Sequence, residues 1–258
     1  MAITGNVKFF SKNLLDENGT YVFTSASQIA ASYLYDRSAT TKFESVGSDD
    51  VTNEVMTIIF TGSKTIDRIF MNIHNIKSGT IKYWNGASYV DFSTAIALSG
   101  NADTTSYFEF DSVDTDKLQV TLSTTIVVDA EKSIAGLLAF TELGTMDSNA
   151  SKVKKSYPKK SVQRENSDGG SINVIFGKKY KANWKFTDAS VSDVILMETV
   201  DNLGSPVFIW PCGGTGLTDY GFRLQDIYFV NYISAFDPNQ KSDLPDIASI
   251  IDCDFKEV

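Results

Sequence analysis

Four aromatic side chains, Tyr33, Tyr35, Trp84 and Tyr89, are the residues of this 258-residue chain best suited by type to hold a ligand. Flat apolar ring faces with polar rims are what the C–H surfaces of a saccharide need, so the four form a candidate sugar platform. Core packing accounts for Trp84 equally well, since it flanks the tight pair Asn85-Gly86. Carboxylate chemistry comes next. Asp111, Asp114 and Asp116 are spaced closely enough to surround a hard cation such as Ca²⁺. The run lacks the glycine and closing glutamate of an EF-hand loop, and the competing reading is a solvated β-turn.

Proton and nucleophile chemistry is scarce. The single histidine, His74, has no carboxylate or nucleophile patterned beside it. With Asn75 it either orients a ligand or satisfies loop backbone groups at a strand end. Cys212 and Cys253 stand 41 positions apart without Cys or His neighbours, which argues against zinc and for buried thiols in a reducing compartment. Residues 211–216 are glycine-rich but lack the Lys-Ser/Thr ending of a phosphate loop. No enzymatic activity is expected, and no cofactor beyond a structural Ca²⁺.

Charge narrows the partners. With 32 acidic and 23 basic residues the net charge is −9, which removes the electrostatic basis for nucleic-acid binding. Residues 1–151 carry 10 Lys/Arg against 18 Asp/Glu, residues 152–165 carry 6 against 1, and residues 166–258 carry 7 against 13. The basic excess is therefore Lys152, Lys154, Lys155, Lys159, Lys160 and Arg164, which are expected to dock on an acidic neighbouring copy. The longest apolar runs, such as residues 134–140, are far shorter than the ~20 residues that span a bilayer. Residues 1–10 lack the basic and apolar regions of a signal peptide, so synthesis in a cytoplasm without a membrane partner is expected.

The elements that must position these groups are strands. Residues 55–60, 66–73, 80–84, 105–110, 117–122 and 134–140 are short β-branched or aromatic runs. Leu118, Val120 and Leu122 alternate with Lys117, Gln119 and Thr121, which puts one face inward. Asn85-Gly86 between aromatic strands predicts a two-residue type I′ hairpin. A helix is expected only over residues 27–35 and 190–200; in the latter Val191, Val194 and Ile195 share a face, and Ser190 with Asp193 forms a capping box. Residues 148–170 are polar and basic, and all five prolines lie at or beyond Pro158. The expected organisation is all-β: an antiparallel jelly-roll sandwich at 1–148, a flexible linker at 149–170 and a smaller β-rich assembly domain at 171–258.

Residues 24–92 resemble the discoidin-like, or galactose-binding-like, jelly roll. The matching pieces are TSAS (24–27), ASYLYDRSATTKFES (31–45), VMTIIF (55–60), TIDRIFMNIHN (65–75) and IKYWNGASYVDF (81–92). Arg37 stands where the family commonly has Gly, and Phe43 and Tyr89 where it commonly has Trp. The resemblance implies a lectin, an adhesin or a scaffold, with ligand-binding loops and Ca²⁺ near an early loop, here Asp16, where a plain turn over residues 16–19 is the competing reading. NLLDENGTYVFTSASQIAASYLYDR (13–37) and NIHNIK (72–77) are similar to versions of this module in tailed-phage virion proteins. That second resemblance implies a structural subunit of a tail, tail tip or baseplate, less readily a head decoration. It would assemble in the host cytoplasm as a symmetric ring of copies with other virion proteins. The alternative is a carbohydrate-binding module or adhesin that takes glycans.

Overall fold

Leu118, Val120 and Leu122 are all buried, and Lys117, Gln119 and Thr121 between them are only partly covered, as strand alternation requires. A computed structural model describes residues 7–15, 19–24, 31–36, 41–45, 52–147, 152–156, 159–165, 171–178, 181–211, 227–233 and 249–257. These residues are mostly antiparallel β-sheet, with one α-helix among them. They divide into two compact units, Asn13–Thr141 and Met1–Lys12 with Glu142–Val258. No helix among the described residues is long and apolar enough to cross a membrane.

Strand β1 (Lys8–Phe10) belongs to the split unit. The continuous unit holds β2 (Thr20–Phe23), β3 (Phe43–Glu44), β4 (Glu54–His74), β5 (Ile76–Trp84), β6 (Tyr89–Val90), β7 (Ile96–Leu98), β8 (Ser106–Thr125) and β9 (Ser133–Phe140). Where the residue pattern predicts four short strands, β4 and β8 run on for 21 and 20 residues. Residues 61–64 form an irregularity inside β4, with Gly62 at φ 82° and the β4–β8 register shifting around it. Such bulges let a strand bend and continue pairing.

The first half of β4 pairs with β2 and the second half of β8, and β5 continues that layer. The second half of β4 pairs with β9 and the beginning of β8. Met56 and Ile58 from one half of β4 share a buried cluster with Ile69 and Met71 from the other. The long strands thus fold over one core as a β-sandwich. A void between the layers, lined by Met71, Ile81, Ile96 and Val120 among others, measures about 10 Å³, room for one water at most. The expected helix at 27–35 is a 3₁₀ turn over Ala31–Leu34; residues 25–30 lie outside the described set.

The split unit contains β10 (Glu142–Thr145), β11 (Lys152–Ser156), β12 (Lys159–Glu165), β13 (Ser171–Lys178), β14 (Lys181–Ala189), α1 (Val191–Asn202), β15 (Val207–Trp210), β16 (Tyr228–Tyr232) and β17 (Ser249–Glu257). Its main sheet has the order β10-β1-β15-β16-β17-β14-β11, and β12 pairs with β13 in a separate ribbon. Phe9, Trp184 and Phe255 meet in its core, with Phe9 and Trp184 6.1 and 5.9 Å from the Phe255 ring.

Three expectations are corrected here. The boundary at 148 becomes a break after Thr141, and residues 1–12 join the C-terminal part, because β1 pairs with both β10 and β15. In sequence, residues 13–141 therefore fall between β1 and β10, which pair antiparallel within the split unit. Residues 149–170 are not a linker throughout: β11 is the edge strand on β14, and β12 pairs with β13. An edge strand buries little, so lysines there are no obstacle and discourage further pairing. Finally, α1 buries Asp193, Leu196, Met197 and Val200, whereas Val191 and Ile195 are exposed.

Candidate functional site

On β5 the core-facing residues are Ile81 and Tyr83, the latter 5.0 Å from the Phe92 ring, so Lys82 and Trp84 stand on the outer face. The pairing continues that face across the layer. Lys82 lies opposite Gln119 of β8 and Gln119 opposite Thr57 of β4; Lys117 lies opposite Ile59. Trp84 pairs with Tyr89 of β6. One outer strip therefore carries Ile59, Lys117, Trp84 and Tyr89 beside Thr57, Gln119 and Lys82, none of them fully buried.

The aromatic pair is held firmly. The Trp84 and Tyr89 rings meet edge to face with centroids 5.1 Å apart. The loop between them has four residues rather than the expected two. Asn85 Oδ1 accepts the N–H groups of Ala87 and Ser88, both at 2.9 Å, and Asn85 N–H donates to Ser88 O at 3.1 Å. Gly86 takes the positive φ of 98° at the tip. Asparagine and glycine thus perform the turn chemistry expected of them, but the side chain closes a wider loop.

Thr115 anchors the other side. Its hydroxyl is buried and accepts the N–H groups of Trp84 and Lys117, each at 3.2 Å, with the carbonyls of the same two residues 2.9 Å away to take its proton. One side chain therefore ties the end of β5 to β8. The Lys117 ammonium sits 4.7 Å from the centre of the Trp84 ring. Lys82 pairs with Asp91 at 3.4 Å in a largely exposed contact at the rim. Residue types alone single out Trp84 and Tyr89 but miss Thr115 and Lys117, although Lys117 belongs to the outward set of the 117–122 alternation.

The other candidates go elsewhere. Tyr35 stacks on Tyr21, centroids 5.4 Å apart, and both pack against the sandwich core, on the opposite side of the sheet from Trp84. Tyr33 is half-buried on the 3₁₀ turn. The four aromatics are not one platform. Asp111, Asp114 and Asp116 lie within β8 rather than in a loop, and Asp114 accepts the Thr65 hydroxyl at 2.5 Å. Strand geometry spreads successive side chains over two faces, and among the described residues no three Asp, Glu, His or Cys side chains converge to hold a metal. Asp16 lies outside the described residues, as does Cys212 with residues 212–216; Cys253 is a buried free thiol. Of the basic candidates, Lys152, Lys154 and Lys155 lie on β11, and Lys159, Lys160 and Arg164 on β12.

His74 is structural. Its Nδ1 accepts the N–H of Ile76 at 3.1 Å, so the proton is on Nε2, which donates to Ser106 Oγ at 3.0 Å. A nitrogen already carrying a proton cannot take one from Ser106, so the pair is not a nucleophile and its base. Burial lowers the imidazole to about 4, against a smaller opposing pull from Asp103. Asn75 likewise serves the backbone, donating to Glu131 O at 2.7 Å and accepting Ser133 N–H at 2.8 Å.

No protein-family model matches the chain, and no curated protein matches it. Likenesses exist among solved structures. Chitosan-binding module 1 from a chitosanase/glucanase of Paenibacillus sp. IK-5 is 19% identical over 50% of this chain and 98% of its own, with a TM-score of 0.42. The family 32 carbohydrate-binding module of Clostridium perfringens NanJ, in complex with galactose, is 17% identical over 52% and 99%, with a TM-score of 0.42. CpGH89CBM32-5 of Clostridium perfringens, in complex with GalNAc-β-1,3-galactose, is 14% identical over 50% and 100%, with a TM-score of 0.41. The sugars named are those proteins' ligands; the site of this chain stands on its own residues.

Proposed function

We propose that this is a non-catalytic carbohydrate-binding protein whose Asn13–Thr141 sandwich holds a saccharide against Trp84 and Tyr89. The observation that carries the reading is the partly exposed indole, fixed edge to face with Tyr89 and rimmed by Lys82, Asp91, Gln119 and Lys117. A sugar offers an apolar C–H face and a ring of hydroxyls, and this strip offers an aromatic face and a polar rim in the same order. The rigid β5–β6 hairpin keeps the ordering cost of binding low. No observation among the described residues favours the virion-assembly reading over this one.

The test is glycan binding to the whole chain and to Trp84→Ala. Saccharide binding that is lost in Trp84→Ala, with the circular dichroism spectrum unchanged, is the expected result. Equal binding by both proteins, or none by the wild type across neutral and acidic glycans, overturns the reading.

A further inference from the structure

The Lys117 ammonium lies over the Trp84 indole, 4.7 Å from the ring centre. Lys117 is partly exposed, and no carboxylate among the described residues lies within ion-pair distance of its ammonium, whereas Lys82 beside it already has Asp91. Its electrostatic partner is the Trp84 ring. At an exposed position such a contact is weak, and it also occupies the aromatic surface that a sugar needs. A neutral saccharide would have to displace the ammonium without replacing the lost contact. A carboxylate on the sugar would draw it away into a charge-assisted hydrogen bond and uncover the ring in the same movement.

Building on the carbohydrate reading, we propose that the Trp84–Tyr89 strip selects an acidic saccharide of the hexuronate class, with Lys117 as both the carboxylate contact and the gate over the indole. Thr115 is a positioning residue for both halves of this device. Its buried hydroxyl bonds the backbones of Trp84 and Lys117 together and sets the distance between ring and cation. The net charge of −9 does not oppose this at close range, because charges more than about 8 Å away are largely screened at physiological salt.

The experiment titrates the full chain with trigalacturonate and with its fully methyl-esterified, neutral counterpart, by calorimetry at low and at 0.5 M salt. The acid is expected to bind at least about tenfold more tightly than the ester, and the preference should shrink at high salt. Lys117→Gln is expected to weaken binding of the acid and to strengthen binding of the ester, because the ring is then open. A merely structural lysine would change both ligands in the same direction. Thr115→Val should reduce the preference and Thr115→Ser restore it. Equal affinities for acid and ester, both lost in Trp84→Ala, would overturn the acidic selection and leave the carbohydrate reading in place. Binding of neither probe, with no other glycan retained, sinks both.

Discussion

The Ser190 hydroxyl accepts the backbone N–H of Asp193 at 3.1 Å, and Asp193 Oδ2 accepts the backbone N–H of Ser190 at 2.9 Å. The second oxygen of the same buried carboxylate accepts Asp147 N–H at 2.6 Å. One side chain thus closes the start of α1 and holds the chain leaving β10. Asp193→Ala strands these donors in a buried setting and should cost about 2–3 kcal/mol. Asp193→Asn keeps one acceptor and should lose about half as much. Urea unfolding followed by circular dichroism reads the difference; an unchanged midpoint for Asp193→Ala contradicts it.

Acid should destabilise the protein through His74. In the unfolded chain the imidazole binds its proton near pH 6.5, in the folded one only near 4. Between those values the unfolded state holds more protons, so stability falls as pH drops from about 6.5 to about 4, by up to about 3 kcal/mol. Above that window the histidine contributes no slope. His74→Gln should be less stable than the wild type at pH 7, with the gap closing by pH 4. A gap that stays constant across urea titrations at pH 7, 5.5 and 4 would refute the assignment.

Two strand glycines should respond oppositely to alanine. A Cβ on Gly79 would lie 2.5 Å from the carbonyl oxygen of Thr121, a backbone atom that can move only by disturbing the β5–β8 pairing. Gly79→Ala is expected to cost about 1–3 kcal/mol. A Cβ on Gly136 meets only Asn72 Cβ at 3.6 Å, an ordinary contact. Gly136→Ala should be neutral or gain up to about 1 kcal/mol by restricting the unfolded chain. Thermal unfolding of the two variants side by side decides it, and similar melting temperatures would be the wrong outcome.

Tryptophan fluorescence separates the platform from the cores. Trp184 and Trp210 are fully buried, whereas Trp84 is partly exposed. Acrylamide should therefore quench one emitting component well and two poorly, and Trp84→Phe should remove the quenchable one. Retention of that component in the variant would place the accessible indole elsewhere.

Much of this protein is legible within a few residues of sequence. The alternation of Leu118, Val120 and Leu122 assigns the inward face of β8, since side chains on a strand point to alternate sides whatever it pairs with. Ser190 and Asp193 announce the start of α1 because their hydrogen bonds span only three positions. Asn85 and Gly86 mark the hairpin for the same reason. What lay beyond the sequence depends on partners far along the chain. Lys152–Ser156 has the composition of a linker and becomes a strand only because Lys181–Lys185 lies alongside it. Lys8–Phe10 joins the far end of the chain by pairing with β15. Trp84 and Tyr35, alike in type, are separated because one faces out from the sheet and the other packs on the core. Trp84, Thr115 and Lys117 meet through the register of β5 on β8, and long-range pairing sets that register with little trace in either strand alone.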